Sequence, residues 1–414
     1  MAAQPRGRPP IETRATRLRS GIPPLLAAYW TFGQYWGVWV VVFPEYLRSN
    51  GISAGEAGWQ FGMMAAVSIV VMTLLAPRLQ GLPHTRTVPA ALGIMGVGAF
   101  LVASLPPGWL WVAFVVLGFG NGLIDVFVNV AAQGIESGSG RPVFQWLHAA
   151  YSVGGITGAL GAGIALTLGA SFRTCLAATA VLLIVAAGWN LLSPSLARAE
   201  RVIQEHPARI SLTALVRSPV LVAPAVVVLF AFLVEGSMDV WSVIYLRHTL
   251  GATVLGAAIA FAAFALAMTF GRAFAARILF DLGPRRTILV SGVGSLVAGV
   301  AATVAGTPVV AAVAFLVLGF FIASAAPAAF GLVERSEEHP AVAIAAITTV
   351  GYSGFVVGPP IMGWLAQTAG LRATIGLMVL ATIGVVAAGL FTPRSTPESV
   401  AEAAPSLPAS EGES

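Results

Sequence analysis

The sequence predicts an all-α integral membrane protein with twelve transmembrane helices in two pseudo-symmetric six-helix bundles. Three observations carry this prediction: the composition, the number of apolar stretches, and an internal repeat of about 200 residues. The 414 residues are 57% hydrophobic and only 9% charged, and the mean hydropathy is +0.87. An ordinary soluble domain carries about 25% charged residues, so this composition is typical of a polytopic membrane protein.

The twelve predicted spans are apolar stretches of about 20 residues, the length that crosses the hydrocarbon core of a bilayer as a helix. They cover 25–46, 55–77, 87–105, 109–133, 145–168, 173–193, 219–246, 253–276, 287–305, 309–333, 341–367 and 373–392.

The arginines orient these spans. All 22 basic residues are Arg, and if the N-terminus is cytoplasmic, seventeen fall in inside segments and four in outside loops, while Arg272 falls within the eighth span. This bias follows the positive-inside rule and predicts a multi-pass protein of the plasma membrane with both termini cytoplasmic. The basic residues are spread over many short loops and form no single basic face, so we expect no nucleic-acid partner.

A repeat divides the chain into halves. At offsets of 199 to 201 residues, Tyr-Leu-Arg recurs at 46–48 and 245–247, Val-Leu-Gly-Phe recurs at 116–119 and 317–320, and three glycines of the fifth span fall on three of the eleventh. Two bundles in parallel orientation explain these coincidences. The predicted organisation is a cytoplasmic tail (1–21), an N-terminal bundle (22–193), a cytoplasmic linker (194–217), a C-terminal bundle (218–393) and a disordered tail (394–414).

Asp125 is the most informative single residue, because a charge inside an apolar span costs several kcal/mol and is rarely there without a function. Asn121 and Asn129 lie four residues to either side, so all three share one helical face. A carboxyl group on such a face, turned towards a cavity, is suited to binding and releasing a proton. The alternative is a structural hydrogen bond to Asn129 or His148.

Other residues in the spans are candidates for the same site. His148 titrates near neutral pH and suits a proton relay or a substrate contact, although a histidine at a helix contact is the more common case, and Gln145 lies one turn earlier. The first span carries an aromatic stripe in which Gln34, Trp36 and Trp39 are the candidates to bind substrate. Packing or lipid contact is the alternative for this stripe.

Twelve spans, a polar linker and a twofold repeat resemble the major facilitator superfamily, and one motif sharpens the resemblance. The segment 271–286 looks like the family's Gly…Asp-Arg-x-Gly-Arg-Arg loop, whereas the equivalent first-half loop, 76–86, lacks the acid. Ion pairs at the ends of neighbouring helices can latch one conformation and break in another; a simple charge anchor is the alternative. The predicted latch consists of Arg272, Arg277, Asp281, Arg285 and Arg286.

A closer similarity is to the fucose-permease-like branch, and within it to YbjJ-type permeases. The segments that carry it are 122–129 (GLIDVFVN), Glu136, 140–142 (GRP), 147–149 (LHA), 235–238 (EGSM), 241–242 (WS) and 245–247 (YLR). The resemblance implies alternating access around a central cavity and, because the fucose permease is a proton symporter whose fourth-helix acid matches Asp125, a proton-coupling role for that residue.

One departure from the fucose permease leads to a second hypothesis. That protein has an essential acid on its first helix, four residues before a proline, and here Pro44 puts Val40 at that place. Under the 199-residue offset Val40 falls on Asp239, so the second proton-linked acid has moved to the seventh span. Glu235 lies four residues before Asp239, and if both are buried one of them should stay protonated at neutral pH. The alternative is that both only bond helix to helix near the outer mouth.

The sequence therefore predicts a proton-coupled secondary transporter of a small polar or amphipathic solute, a monomer in the lipid bilayer that uses no cofactor or metal. The predicted proton-coupling residues are Asp125, Glu235, Asp239 and His148, and the predicted substrate contacts are Gln34, Trp36, Trp39, Asn121, Asn129, Gln145 and Trp241. A proton-antiport exporter of a drug or metabolite, and a sensor that binds without transporting, remain as alternatives. An enzyme is not expected, since the chain lacks His-Glu-x-x-His, Gly-x-Ser-x-Gly and nucleotide-binding motifs, and its single Cys175 disfavours a cysteine metal site.

Overall fold

The computed structural model describes residues 21–79, 81–139, 143–193, 219–336 and 340–392. The predicted N-terminal tail except its last residue, the linker, the C-terminal tail and the segment 140–142 lie outside the described residues.

The described chain forms twelve long helical segments, numbered α1 to α12, and no strand. Each agrees with one predicted span to within a few residues, so the predicted fold class is confirmed. Their bounds are α1 Ile22–Asn50, α2 Ala54–Leu79, α3 His84–Ser104, α4 Leu110–Ser139, α5 Val143–Thr167, α6 Phe172–Leu192, α7 Val222–His248, α8 Val254–Leu282, α9 Pro284–Val304, α10 Pro308–Ser336, α11 Pro340–Thr368 and α12 Leu371–Phe391.

Eleven helices in the described part of the chain are long and apolar enough to cross a membrane. The twelfth, α1, has 29 residues and is also long enough, but tyrosines, tryptophans and Gln34 make it less apolar. Its position explains the difference. Trp39, Phe43 and Tyr46 on α1 are fully buried and form edge-on or tilted ring contacts with Phe61 of α2 or Phe114 of α4, so much of α1 faces protein and not lipid.

The packing of the first six helices is repeated by the last six. In the N-terminal half α1 packs against α5 and α6, α3 packs against α4 and α6, and α2 packs against α4. In the C-terminal half α7 packs against α11 and α12, α9 against α10 and α12, and α8 against α10. The halves meet through α2 with α11 and through α5 with α8, and α1 crosses α7. The internal repeat of the sequence thus corresponds to a structural twofold.

We call the end of the bundle where α1 begins and α12 ends the terminal end, and the other the opposite end. Towards the opposite end the halves are in close contact. A Cβ atom on Gly58 of α2 would lie 2.5 Å from the carbonyl oxygen of Pro359 on α11, and one on Gly163 of α5 would lie 2.6 Å from Ala258 of α8. Glycine permits this approach because it has no side chain. There Arg247 of α7 also forms an ion pair with Glu45 of α1, with side-chain exposures of 19% and 12%.

Two prolines interrupt helices beside the central space of the bundle. Pro327 provides no N–H for the carbonyl of Ala323, four residues earlier, and α10 is broken at that point into Pro308–Ile322 and Ala325–Ser336. Pro77 likewise provides no N–H for the carbonyl of Thr73, four residues earlier, and Thr73 lies in a π-helical turn, Val71–Leu75, within α2. Both irregular turns contribute residues to the cavity described next.

Candidate transport site

A central cavity of about 520 Å³ lies between the two halves. Its walls come from α1, α2, α4 and α5 of the first half and from α7, α8, α10 and α11 of the second, which are equivalent helices in the repeat. The sequence predicted contributions from the first, fourth, fifth and seventh spans, and the structure adds the other four helices. The twofold axis of the fold therefore passes through the space that a solute would occupy.

The cavity lies towards the terminal end and is closed towards the opposite end. Its lining on α1 extends from Tyr29 to Trp36, in the half of the helix nearer the terminal end, and His148 on its wall is exposed. Beyond Trp36 the helix is buried, and the ring of Phe43 lies 5.7 Å from that of Trp241 on α7. The aromatic layer and the glycine contacts between the halves separate the cavity from the opposite end.

Asp125 lies on the wall of this cavity in a network of neutral hydrogen-bonding groups. The hydroxyl of Tyr352 on α11 donates to Oδ2 of Asp125 at 2.7 Å, and Nδ2 of Asn129 donates to Oδ1 at 3.2 Å. The hydroxyl of Tyr29 on α1 donates in turn to Oδ1 of Asn129 at 2.7 Å. We call Asp125, Asn129, Tyr29 and Tyr352 the carboxyl–amide cluster. It joins α4 to α1 in its own half and to α11 in the other half.

Asn121 and His148 line the cavity near this cluster. Nδ2 of Asn121 donates to Oγ of Ser68 on α2 at 3.3 Å, whereas its Oδ1 is buried and accepts no hydrogen bond from the described residues. Nδ1 of His148 is 3.0 Å from the carbonyl oxygen of Phe144, and its ring lies 5.3 Å from that of Tyr29. His148 therefore contacts the helix that carries it and the α1 tyrosine, and it lines the same cavity as Asp125 without a hydrogen bond to it.

The opposing wall carries a second polar group, which contains ions. Nη2 of Arg272 on α8 lies 2.6 Å from Oε1 of Glu235 on α7, and the two side chains are 44% and 25% exposed. Asp239 lies one turn further along α7, also on the cavity wall, and accepts no hydrogen bond from the described residues. We call Glu235, Asp239 and Arg272 the ion-pair cluster. Both acids that the sequence singled out on the seventh span therefore face the cavity and not the outer mouth.

The structure brings seven of the eleven predicted proton and substrate residues together. Asp125, Glu235, Asp239, His148, Trp36, Asn121 and Asn129 line the cavity. The remaining four, Trp39, Trp241, Gln34 and Gln145, do not line it in this conformation.

Each exclusion has a physical reason. Trp39 and Trp241 have no exposed surface and pack in the aromatic layer, where the bulk of the indole fills the core. Gln34 faces α5, whose Gly158 approaches the Gln34 main chain closely. Gln145 is exposed near the start of α5, away from the cavity lining.

The predicted latch residues do not act as one group in this conformation. Arg272 lies in the cavity, paired with Glu235. Nε of Arg277 lies 3.9 Å from Oδ2 of Asp281 on the same helix, with exposures of 84% and 58%, so this pair joins no neighbouring helices. Nη2 of Arg285 donates to the carbonyl oxygen of Leu390 at the end of α12, at 3.0 Å. Arg286 is exposed.

Sequence reasoning missed two residue contacts between the halves. Tyr352 is the partner of Asp125. The sequence feature that could have indicated it is a hydroxyl side chain beside Gly351 and Gly354 on the glycine-rich eleventh span. Glu45 pairs with Arg247, and the feature that could have indicated it is a carboxyl group directly before the first copy of the repeated Tyr-Leu-Arg. Among the described residues, no group of three His, Cys, Asp or Glu side chains is placed to hold a metal ion.

Known proteins match both the sequence and this architecture. The family model described as Major Facilitator Superfamily matches residues 25–359 and 281–411. The chain belongs to the major facilitator superfamily. An uncharacterized MFS-type transporter of Yersinia pestis is 31% identical over 345 residues, covering 78% of this chain and 85% of the relative. The membrane protein MosC of Rhizobium meliloti is 26% identical over 367 residues, covering 86% of each.

A solved structure has the same fold at low sequence identity. The nucleoside transporter NupG superposes with a TM-score of 0.75 at 13% identity, covering 91% of this chain and 99% of the other. Family membership makes this protein an MFS-type membrane transporter, with the cavity at the interface between its halves. The placement in the fucose-permease-like branch stays a prediction.

Proposed function

We propose that this superfamily member is a proton-coupled secondary transporter that moves a small amphipathic solute through the central cavity by alternating access. Asp125 carries the proposal. It is a carboxyl group on the wall of a cavity between two similar halves, deep within an apolar helix. Such a group has access to water only through that cavity, so a change in which end is open changes the compartment with which it exchanges protons.

The neighbours of Asp125 suit a group that changes its protonation state. Its hydrogen-bond partners, Tyr352 of α11 and Asn129 of α4, are neutral, and His148 of α5 is the titratable group that interacts with it from a third helix. No guanidinium is hydrogen-bonded to this carboxyl among the described residues, so no fixed cation holds it in the ionised form. A proton crossing a potential of 100 mV supplies about 2.3 kcal/mol to such a cycle.

The asymmetric closure of the bundle supports alternating access. Glycine contacts, the aromatic layer and the pair Glu45–Arg247 close the opposite end, while the cavity lies towards the terminal end. With both termini in the cytoplasm, as the arginine distribution predicts, this conformation faces inwards. The outward-facing state then requires these contacts between the halves to separate and new contacts to form at the terminal end.

The experiment separates binding from coupling. A thermal-shift panel of sugars, organic acids and hydrophobic amines on the purified protein identifies a ligand, because a ligand that binds only the native state raises the apparent stability. The radiolabelled ligand is then followed in proteoliposomes, first as counterflow without a gradient and then as accumulation driven by a pH difference. The Asp125→Asn variant should retain counterflow and lose gradient-driven accumulation.

Glu334→Gln is the control, because it removes an exposed carboxyl group outside the cavity lining. It should behave like the parent in both assays. Full gradient-driven accumulation by Asp125→Asn would contradict the proposed role of Asp125. Ligand binding without counterflow in the parent would identify a sensor in place of a transporter.

A further inference from the structure

The ionisable groups of the cavity do not balance. Its wall holds three carboxyl groups, from Asp125, Glu235 and Asp239, and two basic side chains, the imidazole of His148 and the guanidinium of Arg272, which is already paired with Glu235. The carboxyl groups therefore outnumber the basic side chains, and neither Asp125 nor Asp239 forms an ion pair with the described residues. A cavity with this excess attracts positive charge and repels anions.

The two remaining carboxyl groups differ in how far they are satisfied. Asp125 accepts hydrogen bonds from Tyr352 and Asn129, one on each oxygen. Asp239 accepts none from the described residues, and the groups that face it are Glu235 on its own helix, Arg272 on α8 and Tyr151 on α5. Since Arg272 donates to Glu235, the carboxylate of Asp239 is the acceptor left open to a ligand.

A second acceptor at the wall also lacks a donor. Oδ1 of Asn121 is buried and accepts no hydrogen bond from the described residues, although the amide nitrogen of the same side chain donates to Ser68. A buried acceptor without a donor costs free energy. The polar atoms left unsatisfied at the wall are thus acceptors, and their partial negative charge favours a cation over an anion.

Much of the remaining wall is aromatic. Ten of the lining residues are Phe, Tyr or Trp, among them Tyr29, Trp36 and Tyr151 in the first half and Phe232 and Phe355 in the second. The faces of aromatic rings carry partial negative charge and attract ammonium groups, most strongly where water is excluded. The same rings bury the apolar body of a ligand.

We infer that the solute is an organic cation, an amine or quaternary ammonium compound with an apolar or aromatic body, whose positive charge binds Asp239 between aromatic walls and holds that carboxyl group in its ionised form. This inference rests on the proposed function and narrows its substrate class. It also divides the work between two acids, with the ligand's charge at Asp239 and the proton at Asp125. The charges of Glu235 and Arg272 neutralise each other, and this ion pair completes the wall between Asp239 and Asp125.

Two probes of the same shape and opposite charge test whether the cavity prefers cations to anions. Tetraphenylphosphonium and tetraphenylborate are titrated into the purified full-length protein in detergent, and binding is followed by intrinsic tryptophan fluorescence and by calorimetry. Tetraphenylphosphonium should bind at least about tenfold more tightly than tetraphenylborate, because one gains and the other loses the interaction with the carboxylates. Benzyltrimethylammonium and its uncharged analogue neopentylbenzene repeat the comparison with a smaller body.

Variants then locate the charge. Asp239→Asn should weaken tetraphenylphosphonium binding at least about tenfold and leave tetraphenylborate unchanged or improved, while Asp239→Glu should keep most of the preference for the cation. Glu334→Gln, outside the cavity lining, should match the parent. Equal binding of both tetraphenyl ions by the parent, which needs no variant to fold, would overturn the inference, and so would cation binding that is unaffected in a folded Asp239→Asn.

The outcome is independent of the coupling experiment. Equilibrium binding in detergent requires neither a gradient nor transport. If the cation preference is absent while Asp125→Asn still loses gradient-driven accumulation, the substrate class is wrong and the proposed function stands. If the cation binds at Asp239 but is never transported by the parent, the binding inference stands and the proposed function fails.

Discussion

The two polar clusters of the cavity use their carboxyl groups differently. In the carboxyl–amide cluster Asp125 is held by neutral donors, Tyr352 and Asn129, and in the ion-pair cluster Glu235 is held by the guanidinium of Arg272. A neutral donor stabilises a carboxylate without fixing its charge, whereas a guanidinium favours the ionised form strongly. From this comparison we expect Asp125, whose partners are neutral, to change its charge more readily than Glu235, whose partner is a cation.

Removing the cation of the ion-pair cluster should have the largest effect. Arg272→Gln leaves Glu235 and Asp239 as neighbouring carboxyl groups without a counter-ion. Loss of one partner of a fully buried pair costs about 3–5 kcal/mol, and the exposure of this pair to the cavity reduces that cost. We expect a clear fall in the thermal unfolding midpoint in detergent and loss of ligand counterflow.

The double variant Arg272→Gln with Glu235→Gln is the test of this explanation. It removes both charges of the pair together and should recover most of the lost stability, since Glu235 no longer carries an unpaired charge beside Asp239. An unfolding midpoint for the double variant below that of Arg272→Gln would show that the charges stabilise the fold by some other route.

A third acid extends the comparison to the opposite end, where Glu45 of one half pairs with Arg247 of the other. Glu45→Gln should weaken the closed contact and raise the population that is open at that end by several-fold, as expected for an ion pair worth about 1 kcal/mol. Spin labels on Leu168→Cys and Val309→Cys, exposed positions near the opposite end in the two halves, report the distance in a Cys175→Ser background.

Glu334→Gln in the same labelled background controls for the loss of an acid. Glu334 is exposed near the terminal end of α10, away from the contacts that close the opposite end, so the distance distribution should not change. An unchanged distribution in Glu45→Gln would mean that glycine and aromatic packing alone close the opposite end.

The smallest effect is expected where the partner is a neutral donor. Tyr352→Phe removes one hydrogen bond to Asp125, so the pH dependence of gradient-driven transport should move to higher pH by less than one unit while the maximal rate changes little. Tyr245→Phe is the matched control, because its hydroxyl donates to the carbonyl oxygen of Ala302 at 2.8 Å and lies outside the cavity lining. A pH profile that coincides with the parent's would exclude Tyr352 from the proton site.

The helices could be predicted from the sequence, because hydropathy over about 20 residues reports directly on burial in lipid. The twofold relation could also be predicted, and Gly163 and Gly363 illustrate why. Each allows a close approach between the halves, one to α8 and the other to α2, and a requirement for close approach leaves a glycine at the same place in each repeat.

The partners of the site could not be predicted in the same way. Asp125 and Tyr352 are 227 residues apart, and hydrogen bonding between them depends on how the halves are placed and not on a local pattern. The aromatic stripe of α1 was visible as a local pattern, but the pattern did not show which of its residues face the cavity. Trp36 and Trp39 lie on neighbouring positions of one helix, yet Trp36 faces the cavity and Trp39 is fully buried, since α2 and α4 cover the second and not the first.

The hydroxyl of Tyr352 belongs to one half of the molecule and the carboxyl group that it binds belongs to the other. In the proposed cycle, rocking the halves apart at that depth breaks this bond, and neutralising the acid weakens it. Chemiosmotic work and mechanical motion would then share one contact, and the strength of that contact would limit how tightly proton flow and solute flow are coupled.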